Sequence, residues 1–154
     1  MTEERHFRAY QPDDFMDLVA MATALYQEDP PGAAMNAGKI ARTIQALGDA
    51  PERGKVVIFE AAGQVVGYAI VILIWSNELS GEVARVDEMY VLPSWRGQQI
   101  GTAFFAHLCG QADPILRGLQ IETTPNNHLA RRLYERLGFH ANHNVQLVMS
   151  LTGD

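Results

Sequence analysis

Apolar side chains at Phe15, Leu18, Val19, Ala22 and Leu25/Tyr26 recur at the spacing of one helical face. The Gln11-Pro12-Asp13-Asp14 stretch before them reads as a helix start, its acidic first turn favoured by the helix dipole. His6–Tyr10 reads as a preceding strand, and Glu28-Asp29-Pro30-Pro31-Gly32 ends the helix. Ile40, Ile44 and Leu47 mark a second helix over Met35–Leu47, stopped at Gly48. The rhythm then changes. Lys55–Ala61 and Gln64–Trp75 are β-branched and aromatic, and Ala62-Gly63 between them predicts a hairpin. Ser76–Gly81 is a polar turn, and Glu82–Leu92 is a third strand broken by Pro93-Ser94-Trp95-Arg96-Gly97. From about Gln98 the helical spacing returns, with Ile100, Ala103, Phe104, His107 and Leu108 on one face, and Asp113-Pro114 closes it. Leu119–Thr123 predicts a short strand. Asn126-Asn127 opens a helix that reaches Leu137 and Gly138, with Leu129, Leu133 and Leu137 as its core stripe. Phe139–Leu151 predicts one or two final strands.

The order β-α-α-β-β-β-α-β-α-β joins hairpin-linked strands to helical crossovers, which predicts an α/β fold with a mixed sheet and helices on its faces. A chain of 154 residues and 17.1 kDa makes one domain spanning 1–154, with enough length to bury a core. Hydrophobic residues at 47% and charged residues at 19% exclude a disordered or fibrous chain. The net charge of −6 argues against nucleic acid or an anionic membrane as partner and favours a cationic one. The longest apolar run, Val65–Trp75, is too short to span a bilayer as a helix. The start MTEERHFRAY lacks the apolar stretch of a secretory signal. The single cysteine, Cys109, leaves no internal disulfide and fits a reducing, cytoplasmic compartment.

Two segments carry candidate chemistry. In the first, a strand runs into Arg96-Gly97-Gln98-Gln99-Ile100-Gly101 and then into a helix. The first amides of a helix lack internal partners, so a strand–loop–helix start is a ready anion site. Gly97 and Gly101 allow close approach and Arg96 adds charge, which suits a diphosphate; the same glycines also suit an ordinary strand–helix connection. No Gly-Lys-Ser/Thr follows, and no Gly-x-Gly-x-x-Gly is present. In the second segment, Asn127, Ala130 and Tyr134 share a helical face. A small residue there lets a ligand pass close to the helix and a phenol can donate a proton; Tyr134 equally suits a helix-rim anchor.

Together the two segments resemble the GNAT superfamily of acetyl-CoA-dependent N-acetyltransferases. The family's R/Q-x-x-G-x-G/A loop is met by Arg96 and Gly101, with Ile100 between the two glycine positions and Gln99 standing at the first of them. Its N-x-x-A-x-x-x-Y-x-x-x-G-F pattern is complete in Asn127, Ala130, Tyr134, Gly138 and Phe139. The acidic-acidic-x-aromatic-Val run at Asp87–Val91 looks most like the small-amine and polyamine branch. The resemblance implies a mostly antiparallel mixed sheet of six to seven strands with about four helices. It implies that Met89, Tyr90 and Val91 pair with the pantetheine arm of acetyl-CoA. Gly97, Gln98, Gln99, Ile100, Gly101 and Thr102 would hold the diphosphate, and Asn127 and Ala130 would line the arm's path. Tyr134 would protonate the departing thiolate, and the amine would attack the thioester directly.

Strand alternation puts Asp87 with Met89 and Val91, and Glu88 on the opposite face. Asp87 is therefore the favoured amine-binding group or base and Glu88 the alternate, while either suits a solvated ion pair with Arg85. Cys109 and His107 read as core, and His140-x-x-His143 lacks the partners of a zinc site, so no metal is expected. Between Tyr10 and Gly38 there is no Lys or Arg, but Asp13, Asp14, Asp17, Glu28 and Asp29 occur. That acidic wall suits a small cationic amine; a protein N-terminus or lysine, or a non-catalytic acyl-CoA-binding role, are the alternatives. The resemblance also makes a homodimer possible.

Overall fold

The computed structural model describes residues 3–30, 32–111 and 113–152. Its elements are β1 (Arg5–Ala9), α1 (Phe15–Glu28), α2 (Ala37–Asp49), β2 (Gly54–Ala61), β3 (Gln64–Ser76), β4 (Gly81–Val91), α3 (Ile100–Gly110), β5 (Leu116–Ile121) and α4 (His128–Arg136). The sheet order is β1-β2-β3-β4-β5. The first three pairings are antiparallel and β4–β5 is parallel, which gives the mixed, mostly antiparallel sheet that the element order predicts.

Three boundaries and one packing face differ from the sequence reading. Helix α2 starts at Ala37 because the Asn36 side chain accepts from the Lys39 N–H at 2.9 Å, and it runs through Gly48 to Asp49. Helix α3 starts at Ile100 and not Gln98, because Gln99 has a left-handed φ of 63°. Strand β5 starts at Leu116 and ends at Ile121, short of Thr123. Helix α4 packs through Tyr134 and Leu137, while Leu129 is 79% exposed and lies off the core. Pro31, placed in the break after α1, lies outside the described residues.

The strand count is the main correction. The described residues form five strands and not six to seven, since Phe139–Thr152 contains none. A strand persists only where its backbone groups are paired, and this segment does not lie on the open edge of β5.

Alternation along the strands splits the core into two layers. Phe59, Val71, Ala84 and Val86 face α3, where Phe59 and Phe104 stack at 4.7 Å between centroids. Ile58, Tyr68 and Tyr90 face α1 and α2, against Leu18, Met21 and Ile40.

Candidate active site

Strand β5 accompanies β4 only as far as Val86, which faces Ile121. Beyond it, Asp87–Val91 keeps β3 on one side and, among the described residues, has no strand on the other. The sheet therefore forks, and an extended ligand can pair along the free edge of β4. Helix α3 begins beside this fork. Its first internal bond runs from the Ala103 N–H to the Gln99 carbonyl at 3.0 Å, so the amides of Ile100, Gly101 and Thr102 precede the helical ladder.

The loop before α3 is shaped by two left-handed residues, Gly97 at φ 77° and Gln99 at φ 63°. A Cβ at Gly97 would meet nothing within 4 Å, so that glycine answers to conformation and leaves open space above the loop. A Cβ at Gly101 would lie 3.5 Å from Met89 Cε and 3.8 Å from Leu133 Cδ2, ordinary contacts that seat the helix start between β4 and α4. Arg5 of β1 donates to the Gln98 carbonyl at 2.5 Å and the Gln99 carbonyl at 3.4 Å. This charge holds the loop carbonyls and leaves the amides to a ligand. No sequence signal pointed to Arg5, which lies 93 positions before Gln98.

Arg96 is engaged elsewhere. Its Nε donates to the Val91 carbonyl at 2.9 Å, its Nη2 donates to both Glu28 oxygens at 3.1 and 2.9 Å, and its guanidinium lies 5.1 Å over the Tyr90 ring. It therefore fixes the loop to the end of α1. Asp29, the next residue, accepts from the Thr124 hydroxyl at 3.0 Å, so α1 is tied to the chain on both prongs of the fork.

The carboxylates do not follow simple alternation. Ile70 faces Glu88 while Val71 faces Val86, so Asp87 sits at the shift of register as the extra residue of a β-bulge. The bulge resets parity: Val86, Met89 and Val91 all pack on the α3 side. Asp87 is exposed, and its Oδ1 lies 3.4 Å from Arg85 Nε. Glu88 lines a small cavity with Leu18, Ala22 and Ile70 under α1 and α2. There Tyr26 donates to Glu88 Oε2 at 2.6 Å and Tyr68 donates to Oε1 at 2.8 Å. Burial, then the facing carboxylate, pushes both phenols far up, so both remain donors. Arg85 also donates to Glu122 Oε1 at 2.7 Å, which joins the two prongs of the fork. Neither tyrosine nor Glu122 was singled out by the sequence.

On the α3 side, Tyr134 of α4 stacks edge-on to Phe105 and Phe139, at 5.8 and 6.0 Å. Burial pushes its phenol up to about 12, so the hydroxyl stays protonated at neutral pH. Asn127 caps α4, its side chain accepting from the Ala130 N–H at 3.3 Å.

A free strand edge, a set of uncommitted helix-start amides and a buried phenol fit a long ligand with an anionic middle and a reactive end. The family model that matches the chain, over residues 17–139, is that of the acetyltransferase (GNAT) family. The chain belongs to that family. It is an acetyl-CoA-dependent N-acetyltransferase.

A possible acetyltransferase from Clostridium difficile 630 superposes with a TM-score of 0.80 at 19% identity, covering 96% of this chain and 98% of its own. A ribosomal-protein-alanine N-acetyltransferase from Brucella melitensis biovar Abortus 2308 gives 0.75 at 18%, covering 96% and 100%. An aminoglycoside N-acetyltransferase, AAC(6')-Iy, solved in complex with CoA, gives 0.73 at 18%, covering 98% and 97%. No curated protein sequence matches the chain. Among the described residues of this acetyltransferase, no group of three or more His, Cys, Asp or Glu side chains is arranged to hold a metal ion. None of its described helices is long and apolar enough to cross a membrane.

Proposed function

We propose that this acetyltransferase transfers the acetyl group of cytoplasmic acetyl-CoA to the primary amine of a small cationic acceptor. The observation that carries this reading is the charge at the fork. Among the described residues Asp87 and Glu122 share one cation, Arg85, and Glu88 lies between Tyr26 and Tyr68 with no cation paired to it. The excess of negative charge draws an ammonium to the place where the strands part. The acidic residues of α1 and of the turn before it contribute less, because Arg8 pairs with Asp14 and Arg96 pairs with Glu28.

An alkyl ammonium has a pKa near 10.4, so it must lose a proton before it attacks. Glu88 takes that proton, directly or through a water, in preference to the exposed Asp87. The main chain of Met89, Tyr90 and Val91 pairs with the pantetheine arm. The amides of Gly97, Gln98, Gln99, Ile100, Gly101 and Thr102 hold the diphosphate, and Asn127 and Ala130 line the arm's path. The amine nitrogen bonds to the acetyl carbon as the carbon–sulfur bond breaks, and the second proton that the nitrogen then sheds passes through solvent, leaving an amide and the CoA thiol. Tyr134 donates a hydrogen bond to the departing sulfur. Full transfer from a phenol at about 12 to a thiolate whose thiol is near 8.5 runs uphill, so the bond strengthens only as negative charge grows on sulfur.

The aminoglycoside and ribosomal-protein enzymes superpose almost equally well, so the fold does not choose between a small amine and a peptide; the charge at the fork supports a cationic acceptor. Thiol release from acetyl-CoA, measured over polyamines, aminoglycosides and N-terminal peptides, tests the reading. Turnover with small polyamines or aminoglycosides is expected; turnover with peptides alone would replace it.

A further inference from the structure

Strand β1 lies at one edge of the sheet, and alternation puts Arg5 and Phe7 on the same face of it. Phe7 meets α3 on that face, its ring centroid 5.6 Å from Phe104 and 5.3 Å from His107. Arg5, two residues earlier, reaches the loop that leads into the same helix. We propose that Arg5 is a positioning residue for the acyl donor: it turns the amides of Gln99 and Ile100 toward the diphosphate and so makes tight donor binding depend on that group. The inference rests on the reading that the loop amides hold the diphosphate.

The geometry follows from the planar trans peptide, whose C=O and N–H point in opposite directions. The Gln98 carbonyl shares a peptide with the Gln99 N–H, and the Gln99 carbonyl shares one with the Ile100 N–H. Arg5 draws both carbonyls to its own side, at 2.5 and 3.4 Å, so both N–H groups face away from the guanidinium. The Ala103 N–H holds the Gln99 carbonyl from within α3 at 3.0 Å, which fixes the second peptide from two directions. The left-handed Gln99 then sets two successive N–H groups side by side, the concave arrangement that suits an anion.

Arg5 is free for this task. Arg8, Arg85, Arg96 and Arg131 each face a carboxylate, whereas among the described residues no carboxylate pairs with Arg5. Its bonds to the loop are charge-assisted, which makes them short and strong for contacts to backbone. Its positive charge is left uncompensated beside the loop, where it favours an anion.

Calorimetric titration with CoA, with dephospho-CoA and with pantetheine, which lacks the diphosphate, tests the assignment. Arg5→Met keeps the reach of the side chain and removes the cation. Its affinities for CoA and dephospho-CoA should both fall about 10–100-fold, the range for hydrogen bonds made by a charged group, while its affinity for pantetheine stays within about twofold. Arg5→Lys replaces the fork of donors with a compact ammonium and should fall between wild type and Arg5→Met. An equal loss for all three ligands would make Arg5 a merely structural residue and overturn the proposal. An unchanged affinity for CoA, or a loss that spares dephospho-CoA, overturns it too. Wild type that binds CoA no better than pantetheine would remove the diphosphate reading itself, and the proposal with it. If Arg5→Met fails to fold, Arg5→Lys decides by the same comparison: a loss confined to the two diphosphate ligands supports the proposal, and an equal loss or none overturns it.

Discussion

The Tyr68 hydroxyl donates to Glu88 Oε1 at 2.8 Å from a side chain with no exposed surface in the middle of the sheet. Tyr26 takes the other oxygen from α1, so two elements on different sides of the carboxylate set its position. A carboxylate held in this way keeps its orientation when a ligand arrives.

Glu88→Gln keeps the shape but removes the charge, and one of the two phenols, Tyr26 or Tyr68, must turn from donor to acceptor toward the new NH2. Its kcat/KM for the amine should fall about 10²–10⁴-fold, while the KM for acetyl-CoA stays within about twofold. Asp87→Asn should cost less than tenfold. The reverse order in steady-state kinetics would return the role to Asp87.

Tyr134→Phe removes only the hydroxyl to which we assign the hydrogen bond to the departing sulfur, and kcat should drop about 10²-fold or more with little change in CoA affinity. The phenol also links stability to alkaline pH. Its folded value, about 12, lies above the ordinary value near 10. Its contribution is therefore complete below about pH 10 and is lost as pH rises through about 12. Thermal melts between pH 8 and 12 should show a steeper alkaline decline in wild type than in Tyr134→Phe. Tyr26 and Tyr68, both shifted the same way, keep some decline in the variant.

Much of this arrangement was legible in the residue pattern. The helical stripe from Phe15, the hairpin at Ala62-Gly63 and the cap at Asn127 are local signals, and the structure has α1, β2–β3 and α4 where those signals fall. The bulge at Asp87 was not legible, because it is a mismatch of register between β3 and β4 and not a property of either strand. One extra residue there moved Asp87 away from the face of Met89 and Val91. The contacts of Arg5 with Gln98, of Tyr26 with Glu88 and of Arg96 with Glu28 join residues 93, 62 and 68 positions apart, with no periodicity to announce them. Phe139–Leu151 reads as one or two strands, but a strand needs a paired edge, and among the described residues no strand forms there.

Gln99 shows why glycine suits the first glycine position of the family loop. A non-glycine residue at φ 63° and ψ 26° is held about 1–2 kcal/mol above its preferred backbone region. Gln99→Gly removes that strain at some cost in unfolded-state entropy. A net gain of up to about 1 kcal/mol, or roughly 2–4 °C in Tm, is expected by calorimetry. CoA affinity should be retained, because the amide is unchanged. Gln99→Val should instead lower the Tm, since a β-branched side chain tolerates this conformation poorly.

Asp14 supports the fold without belonging to the site. It is 5% exposed, accepts from both Arg8 terminal nitrogens at 2.8 Å, and accepts from the Gln11 N–H at 2.7 Å. The Arg8 guanidinium holds its carboxyl below the ordinary range. A depressed acid contributes stability above its unfolded value, near 3.9, and loses it as pH falls toward the folded value. Asp14→Asn should therefore cost about 2 kcal/mol at pH 7, less than a fully buried pair, because Arg8 is 31% exposed and still reaches water. That corresponds to roughly 4–8 °C in Tm. The gap between variant and wild type should narrow as the buffer is taken from pH 7 to below pH 4; a gap constant with pH would mean that the loss comes from packing and not from the ionised carboxylate.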